Sequence, residues 1–221
     1  MNTELKKRII TSIGLLSLLT TMYFYSFIMI GALLIVAIIV WIEFYALISK
    51  IIRGNKFQDI FFRLIFKSAS LLYLSTFVGF IFVIESHYID LKIYLLYSVL
   101  VAILSDIGGL VFGKTFKGKK LTKISPNKTI SGSIGSIVLS MVLIPIFYNE
   151  LIIYDLFTLI ILTIVISLIS QIGDLFISFL KRKAKVKDTS DLLPGHGGLL
   201  DRVDGIIFAV PLGIFLLNFL N

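Results

Sequence analysis

The chain lacks cysteine altogether and carries only two histidines and one tryptophan. Without cysteine the protein has no disulfide framework, no thiolate nucleophile and no sulfur-ligated zinc site. Charge is scarce as well, because Asp, Glu, Lys and Arg make up 15% of the residues, against about 25% in an average soluble domain. These absences exclude a disulfide-stapled secreted module and argue strongly against a water-soluble enzyme.

Apolar residues dominate instead, at 57% of the chain and with a mean hydropathy of +1.01. A membrane-spanning helix needs about 20 mostly apolar residues. Seven runs approach that length: Ile9–Tyr25, Phe27–Ile48, Phe62–Ile84, Leu91–Gly113, Gly132–Tyr148, Leu156–Leu180 and Val203–Leu220. We therefore predict an all-α, polytopic integral membrane protein with about seven transmembrane helices. Its 221 residues would form a single membrane-embedded domain, with N-terminal helices in 1–90 and catalytic helices and cytosolic loops in 91–221.

The basic residues predict how the chain is oriented in the membrane. With the N-terminus in the cytosol, all but one of the 21 Lys and Arg residues fall on the cytosolic side, and only Lys92 lies outside. The positive-inside rule then gives an N-in, C-out topology in the cytoplasmic membrane. Both long polar loops, Lys114–Ser131 and Lys181–Arg202, face the cytosol, where nucleotides are found. The net charge of +8 indicates contact with anionic headgroups rather than with nucleic acid.

Ionisable residues inside a span mark functional sites by default, and Asp174 is the strongest of them. The spacing of Gln171, Asp174, Ser178 and Lys181 places these four residues on one helical face. A polar seam that joins helices is the alternative interpretation. The stripe ends in Lys181-Arg182 at the cytosolic boundary, which favours a site.

The argument for a functional role is weaker for two further intramembrane carboxylates. Asp106 lies beside a predicted ridge of small residues that would let another helix approach closely, made of Ser98, Ala102, Ser105 and Gly109. Glu43 lies near the inner end of its span. An interfacial carboxylate paired with Lys50 or Arg53 explains Glu43 at least as well as a functional role.

The first long loop carries six lysines and no acidic residue over 113–133. Lys117, Lys119 and Lys120 are interpreted as topogenic charges that hold anionic lipid. Ser125, Lys128 and Thr129 stand instead in a turn at a predicted helix entrance, where N–H groups, hydroxyls and lysine make an anion cradle. We predict that these three bind phosphate. The Walker A spacing is absent.

The second long loop ends in Asp201 and Asp204, which are three residues apart at a predicted helix N-terminus. A capping role would account for one aspartate but not for both. With Asp174 they supply three hard oxygen donors at one membrane boundary, which suits Mg²⁺ bridging substrate phosphates. His196 is a poor zinc ligand, because the second histidine, His87, is predicted to lie across the membrane.

The stretch Ser178–Asp204 reads Ser-x-Leu-Lys-Arg, four residues, Lys-Asp, and then Pro194-x-His-Gly-Gly-Leu-x-Asp-Arg-Val-Asp. This pattern resembles the signature of the phosphatidate cytidylyltransferases (CDP-diacylglycerol synthases), without a gap. The segments 171–175, 125–129 and 41–43 are also similar to that family. The chain departs from the family at Ser131, where an acid or Gln is usual, and at Leu110, where an aromatic residue is frequent. It is also shorter, with fewer spans.

The resemblance implies that CTP and phosphatidic acid react to give CDP-diacylglycerol and pyrophosphate with Mg²⁺, or with Mn²⁺ in its place and with room for a second cation. Asp174, Asp201 and Asp204 would hold the metal, with Asp106 near it. Ser125, Lys128 and Thr129 would hold nucleotide phosphates. Other residues would hold the lipid phosphate or pyrophosphate: Lys181, Arg182, Lys187 and Arg202. Ser178 is assigned to substrate binding, and His196, Gly197 and Gly198 would form a close-approach turn.

Other functions remain open on the sequence. A related CTP-dependent enzyme could act on an archaeal ether lipid or, as a kinase, on a polyprenol, because apolar surfaces do not identify the lipid chain. A non-enzymatic lipid or ion transporter would also use intramembrane aspartates and basic loops. The metal-spaced pair Asp201 and Asp204 argues against transport. Membrane lipids are expected partners, and a homodimer is allowed.

Overall fold

The computed structural model of the protein describes residues 3–122, 125–151, 154–195 and 197–219. These residues form helices joined by turns and contain no β-strand, which confirms the all-α prediction. The helices are α1 (Thr3–Phe24), α2 (Ser26–Ile51), α3 (Phe57–His87), α4 (Lys92–Phe116), α5 (Ile130–Ser140), α6 (Leu143–Phe147), α7 (Leu156–Lys183), α8 (Leu200–Val203) and α9 (Ile206–Phe219), with a 3₁₀ turn at Ile89–Leu91.

Five segments within the described ranges are long and apolar enough to cross a membrane: Ser26–Ile51, Phe57–His87, Lys92–Phe116, Ile130–Phe147 and Leu156–Lys183. The protein is therefore a membrane protein, but the predicted count of seven spans is not confirmed. The apolar part of α1, Ile10–Phe24, is shorter than a span. The last apolar run is interrupted after Val203, which leaves the 14 residues of α9. At 1.5 Å per residue they cover roughly 21 Å of a hydrocarbon layer about 30 Å thick.

The predicted fifth span consists of two helices, α5 and α6, separated by a turn at Met141 and Val142. Pro145 explains why the helix restarts here. It lies in the first turn of α6, where its missing N–H group removes no helical hydrogen bond. The chain therefore accommodates this proline without losing the length needed to span a membrane.

The described chain divides into two compact units, and the first contains α1 to α3 together with residues 180–202. Helix α2 packs on both α1 and α3. The indole N–H of Trp41 donates to the carbonyl of Lys67 over 3.1 Å, and the Lys67 ammonium lies over the rings of Trp41 and Tyr45. Such cation–π contacts suit a lysine at the edge of an apolar layer.

The second unit contains residues 88–179 and 203–221, and α4 contributes its ridge of small residues to it. Ser98, Ala102 and Ser105 are fully buried. The Ser105 hydroxyl lies 3.0 Å from that of Ser167 on α7, and the prediction of close helix approach along this ridge is confirmed. The hydrophobic effect does not drive helices together in lipid, because the lipid tails are as apolar as the helices. Small residues favour the contact instead, since they let the two backbones pack closely.

Replacing Gly108 with alanine should destabilise the second unit by about 1–3 kcal/mol. A Cβ atom at Gly108 would lie 2.4 Å from the carbonyl oxygen of Gly135 on α5, which is a backbone atom and cannot rotate away as the end of a side chain would. The fraction of detergent-solubilised protein that stays monodisperse after heating measures the effect. Gly79→Ala is the matched control, since no atom of the described residues lies within 4 Å of a Cβ atom there. Equal heat resistance of the two variants would contradict the tight α4–α5 contact.

Candidate active site

Helix α7 ends in the first unit in a Schellman motif, which sets the path of the loop that follows. The N–H of Val186 donates to the carbonyl of Lys181, and the N–H of Lys185 donates to that of Arg182. Lys185 takes the left-handed position (φ 57°) that glycine usually occupies. Ala184, the capping residue, is buried. Lys181 therefore belongs to the last ordered turn of a helix.

Asp201 is a predicted site residue of this unit whose two carboxylate oxygens both accept hydrogen bonds. Its Oδ1 accepts from the ammonium of Lys181 over 2.6 Å. Its Oδ2 accepts from the backbone N–H groups of Thr189 (2.8 Å) and Gly198 (3.1 Å). Burial raises the pKa of the Asp201 carboxyl, but the Lys181 hydrogen bond, the two backbone N–H groups and the Lys181 charge outweigh it, and the pKa lies below its ordinary value. Asp201 is therefore a carboxylate at neutral pH.

Gly197 and Gly198 stand in a glycine turn with Pro194 and Gly195, and their role in close approach to substrate stays a prediction. Gly195 and Gly197 have φ of 75° and 81°, and the N–H of Leu193 donates to the carbonyl of Gly197 over 2.8 Å. A Cβ atom at Gly198 would overlap the hydroxyl oxygen of Thr189 at 1.9 Å. His196 lies outside the described residues. The glycines therefore have a steric reason to be where they are.

Lys187 and Arg202, both predicted to bind phosphate, line one open cavity of about 590 Å³ in the first unit. The carboxylates of Asp188 and Asp191 and the turn at Pro194 line it as well. Arg182 is exposed on the last turn of α7. The cavity thus offers cationic groups with carboxylates beside them, a lining suited to a phosphate accompanied by a cation.

Glu43 and Thr189 are two residues of this unit whose contacts the sequence did not reveal. The Glu43 carboxylate is buried and accepts hydrogen bonds from the loop at residues 189, 190, 199 and 200. The suggested ion pair with Lys50 or Arg53 is not what holds Glu43 in the described chain. Its position inside a span was the signal, but the sequence offered no hint of the partner.

The second unit holds the remaining predicted residues, and Lys128 and Asp174 form an ion pair in it. Both side chains are about one-quarter exposed. The Ser178 hydroxyl donates to Asp174 Oδ1 over 3.3 Å, one helical turn along α7. Gln171 contacts Ser133 of α5, so the predicted polar stripe combines a helix–helix contact at Gln171 with an ion pair at Asp174.

The turn before α5 has the geometry expected of a helix entrance. The N–H of Lys128 donates to the carbonyl of Ser125 over 3.0 Å, and the Thr129 hydroxyl caps the helix by accepting from the N–H of Gly132 over 3.1 Å. Lys128 is therefore held one residue before the cap. The helix begins at Ile130, two residues before the predicted start of the span at Gly132. Phosphate binding by Ser125, Lys128 and Thr129 stays a prediction.

Asp204 lies in the second unit, at the break between α8 and α9, and its Oδ1 accepts from the N–H of Gly205 over 2.9 Å. It is 5% exposed. Helix α7 approaches it closely, since a Cβ atom at Gly173 would lie 2.7 Å from the Asp204 carbonyl oxygen. The backbone beside Asp174 is thus packed against Asp204. Asp106 is exposed on α4, between the ridge residues Ser105 and Gly109.

Carboxylates are the ligands that Mg²⁺ takes, and Asp174, Asp201 and Asp204 have that chemistry. The described parts of the chain contain no group of three or more His, Asp or Glu side chains that could hold a metal. Asp174 and Asp201 each hold a lysine instead. The assignment of a metal to the three aspartates therefore stays a prediction.

Residues 1–220 match the model of the cytidylyltransferase family. The chain is 36% identical over 173 residues to a phosphatidate cytidylyltransferase of Staphylococcus saprophyticus, a match that covers 77% of the chain and 64% of that relative. It is 38% identical over 173 residues to one of Staphylococcus aureus, with the same coverage. A third, of Staphylococcus haemolyticus, is 43% identical over 122 residues, covering 54% of the chain and 46% of the relative. The matches thus span just under two thirds of these relatives at most. On the match along its whole length, the chain belongs to the cytidylyltransferase family.

Proposed function

We propose that the chain transfers a cytidylyl group from CTP to phosphatidic acid, giving CDP-diacylglycerol and pyrophosphate. The observation that carries the proposal is the bonding of Asp201, whose carboxylate ties Lys181 to the glycine turn in the stretch that resembles the family signature. The names of the staphylococcal relatives support the same activity.

The reaction needs alignment and charge neutralisation more than covalent help from the protein. A phosphate oxygen of the lipid attacks the α-phosphorus of CTP. The bond from that phosphorus to the oxygen bridging to the β-phosphate breaks, and pyrophosphate leaves with the electron pair. A general base is barely needed, because a phosphate monoester has its second pKa at about 6 and is already anionic.

The cationic groups have separate tasks in this proposal. Lys128, held at the entrance of α5 with Ser125 and Thr129, binds the phosphates of CTP. Lys181, Arg182, Lys187 and Arg202 bind the lipid phosphate or the departing pyrophosphate. Each cation neutralises charge that would otherwise repel the attacking oxygen.

The chemistry of the aspartates fits a divalent cation. The dependence of the transfer reaction on that cation is part of the proposal. Asp174, Asp201 and Asp204 would hold Mg²⁺, which when bound neutralises phosphate charge and polarises the phosphoryl oxygens. Lys128 and Lys181 now pair with two of those aspartates. On substrate binding each lysine would turn from its carboxylate toward phosphate.

The orientation of the basic residues supports a site on the cytosolic side of the cytoplasmic membrane. CTP is made in the cytosol, and phosphatidic acid lies in the bilayer. A site at the membrane surface meets both. A homodimer is compatible with this arrangement and is part of the proposal.

Two radiolabels test the proposal directly. Purified protein in detergent, given phosphatidic acid, Mg²⁺ and CTP labelled at the α-phosphate, is expected to convert the label into a lipid-extractable form. CTP labelled at the γ-phosphate should leave the lipid unlabelled, because that phosphate departs in pyrophosphate. Transfer of the γ label alone would establish a lipid kinase. Transfer of neither label to phosphatidic acid, an ether-linked analogue or a polyprenol would overturn the enzymatic proposal.

A further inference from the structure

The buried carboxylate of Glu43 has no task in the proposed chemistry. It lies on α2, eight residues before the helix ends at Ile51, which is about 12 Å along the axis at 1.5 Å per residue. The residue is 5% exposed. A carboxylate at such a depth in a spanning helix is costly unless it is well partnered. Its partners identify what it does.

In the described part of the chain, Glu43 accepts four hydrogen bonds, all from the loop between α7 and α8 and the first residue of α8. Oε1 accepts from the Ser190 hydroxyl (2.5 Å) and the Leu199 N–H (3.1 Å). Oε2 accepts from the Thr189 hydroxyl (2.9 Å) and the Leu200 N–H (2.7 Å). Two donors on each oxygen satisfy the carboxylate fully. Glu43 therefore joins both ends of the glycine turn to one point on α2.

The segments that Glu43 holds are the same ones that donate to Asp201. The backbone N–H of Thr189 reaches Asp201 Oδ2 while its hydroxyl reaches Glu43. That hydroxyl oxygen also lies 3.0 Å from Asp201 Oδ2. A hydroxyl carries one proton, so Thr189 stands between the two carboxylates as a shared contact. Because Glu43 holds Thr189 in place, it also orients the Asp201 carboxylate to which Thr189 donates.

The turn is packed too closely against Glu43 and Thr189 for a side chain at Gly198. A Cβ atom at Gly198 would lie 2.7 Å and 2.9 Å from the two Glu43 oxygens, besides overlapping Thr189. The Thr11 hydroxyl of α1 donates to the carbonyl of Pro194 over 3.2 Å, a second attachment of the same turn. The loop is thus held against the helices at its two flanks and at its tip.

We propose that Glu43 is a positioning residue, which orients Asp201 and Lys181 by holding the loop of residues 189–200 against α2. This inference rests on the proposed function for its effect on turnover. Its effect on the loop itself is independent of that function. Glu43 touches neither substrate nor the reacting atoms in this proposal.

Glu43→Gln is the informative substitution, because it keeps the size of the side chain. Its amide nitrogen must face two donors, and one of them is a backbone N–H that cannot become an acceptor. We expect kcat to fall by between about tenfold and a hundredfold, as misplaced catalytic groups produce. The KM for CTP should stay within about twofold, because the turn at Lys128 binds the nucleotide.

Glu150→Gln is the matched control, since Glu150 is an exposed carboxylate outside the proposed site. It should retain wild-type kcat. Glu43→Gln should also keep the wild-type thermal unfolding midpoint to within a few degrees. If Glu43 only stabilised packing, the substitution would lower the midpoint and leave the kcat of the folded fraction intact. That second pattern would overturn the positioning role.

The absence of cysteine allows the loop to be followed without an activity assay. Leu199 is 8% exposed and Leu192 is 51% exposed. In a Leu199→Cys protein, maleimide labelling should be slow, and adding Glu43→Gln should speed it at least about tenfold, because local opening exposes the thiol. Leu192→Cys should label quickly in both backgrounds. Equal labelling of the Leu199→Cys thiol in both backgrounds would overturn the proposal.

Gly198→Ala disrupts the same contact while Glu43 stays in place. It should reproduce the loss of kcat and the faster labelling, and Gly31→Ala on α2, where nothing lies within 4 Å of a Cβ atom, should do neither. If the wild-type protein makes no CDP-diacylglycerol but Glu43→Gln still exposes the loop, the proposed function fails and the anchoring stands. If the wild type is active and Glu43→Gln is as active, the positioning role fails alone.

Discussion

Replacing Asp201 with asparagine is expected to lower kcat by about a hundredfold to a thousandfold, the range seen when one preorganised charge contact is removed from a transition state. The carboxylate accepts from an ammonium on Oδ1 and from N–H groups on Oδ2. Asparagine must present its NH₂ group to one of these sets of donors. Either orientation leaves a buried donor facing another donor and releases Lys181 or the glycine turn.

The measurement is the rate of transfer of the α label of CTP to phosphatidic acid, compared at equal amounts of monodisperse protein. Asp90→Asn, which makes the same chemical change at an exposed position, should keep the wild-type rate. The Asp201→Asn protein should still insert into the membrane, because Asp201 lies outside the described spans. If Asp201→Asn retains more than half of the wild-type kcat, the proposed role of Asp201 in catalysis is wrong.

The second large effect is expected at the ion pair of Lys128 and Asp174. Lys128→Met and Asp174→Asn should each lower kcat/KM for CTP by about a hundredfold, and the double variant should be no worse than the poorer single variant. Groups that act as a unit show this lack of additivity. Loss of Lys128 removes a phosphate ligand and leaves Asp174 uncompensated, and loss of Asp174 frees Lys128 from its fixed position.

Lys119→Met provides the control for charge alone, because Lys119 is exposed in the same loop and is interpreted as topogenic. Its loss should change kcat/KM for CTP by less than about threefold, and that change should shrink in higher salt as screening increases. Additive losses in the double variant would show that Lys128 and Asp174 act separately. A normal KM for CTP in Lys128→Met would contradict nucleotide binding at this turn.

The sequence predicted the helices well. A run of apolar residues enters the membrane, where its backbone N–H and C=O groups find no water and must form hydrogen bonds with each other. It predicted the close contact along Ser98, Ala102 and Ser105 for the same local reason. The count of seven spans is not confirmed, because the apolar part of α1 is shorter than a span and the break after Val203 leaves only the 14 residues of α9. An average of hydropathy over a run does not detect a break of this kind, although the break shortens the helix.

The sequence named the residues of the candidate site but not the contacts between them. Periodicity placed Gln171, Asp174 and Ser178 on one face of α7, because spacing along one helix is local information. The pairing of Asp174 with Lys128 joins distant parts of the chain, and no local pattern encodes it. Glu43 and Thr189 are further apart still, so Glu43 could be identified as unusual but not given its partner.

The contact between α4 and its neighbours also bears on where the proposed lipid substrate would place its fatty acyl chains. At Gly108 and Gly135 the backbones of α4 and α5 meet directly, and at Gly213 the backbone of α9 lies against the side chain of Ser98. A gap too small for a methyl group admits no methylene chain. Acyl chains are therefore shut out of these helix contacts and stay in the surrounding bilayer, so these contacts cannot discriminate the length or unsaturation of a fatty acid.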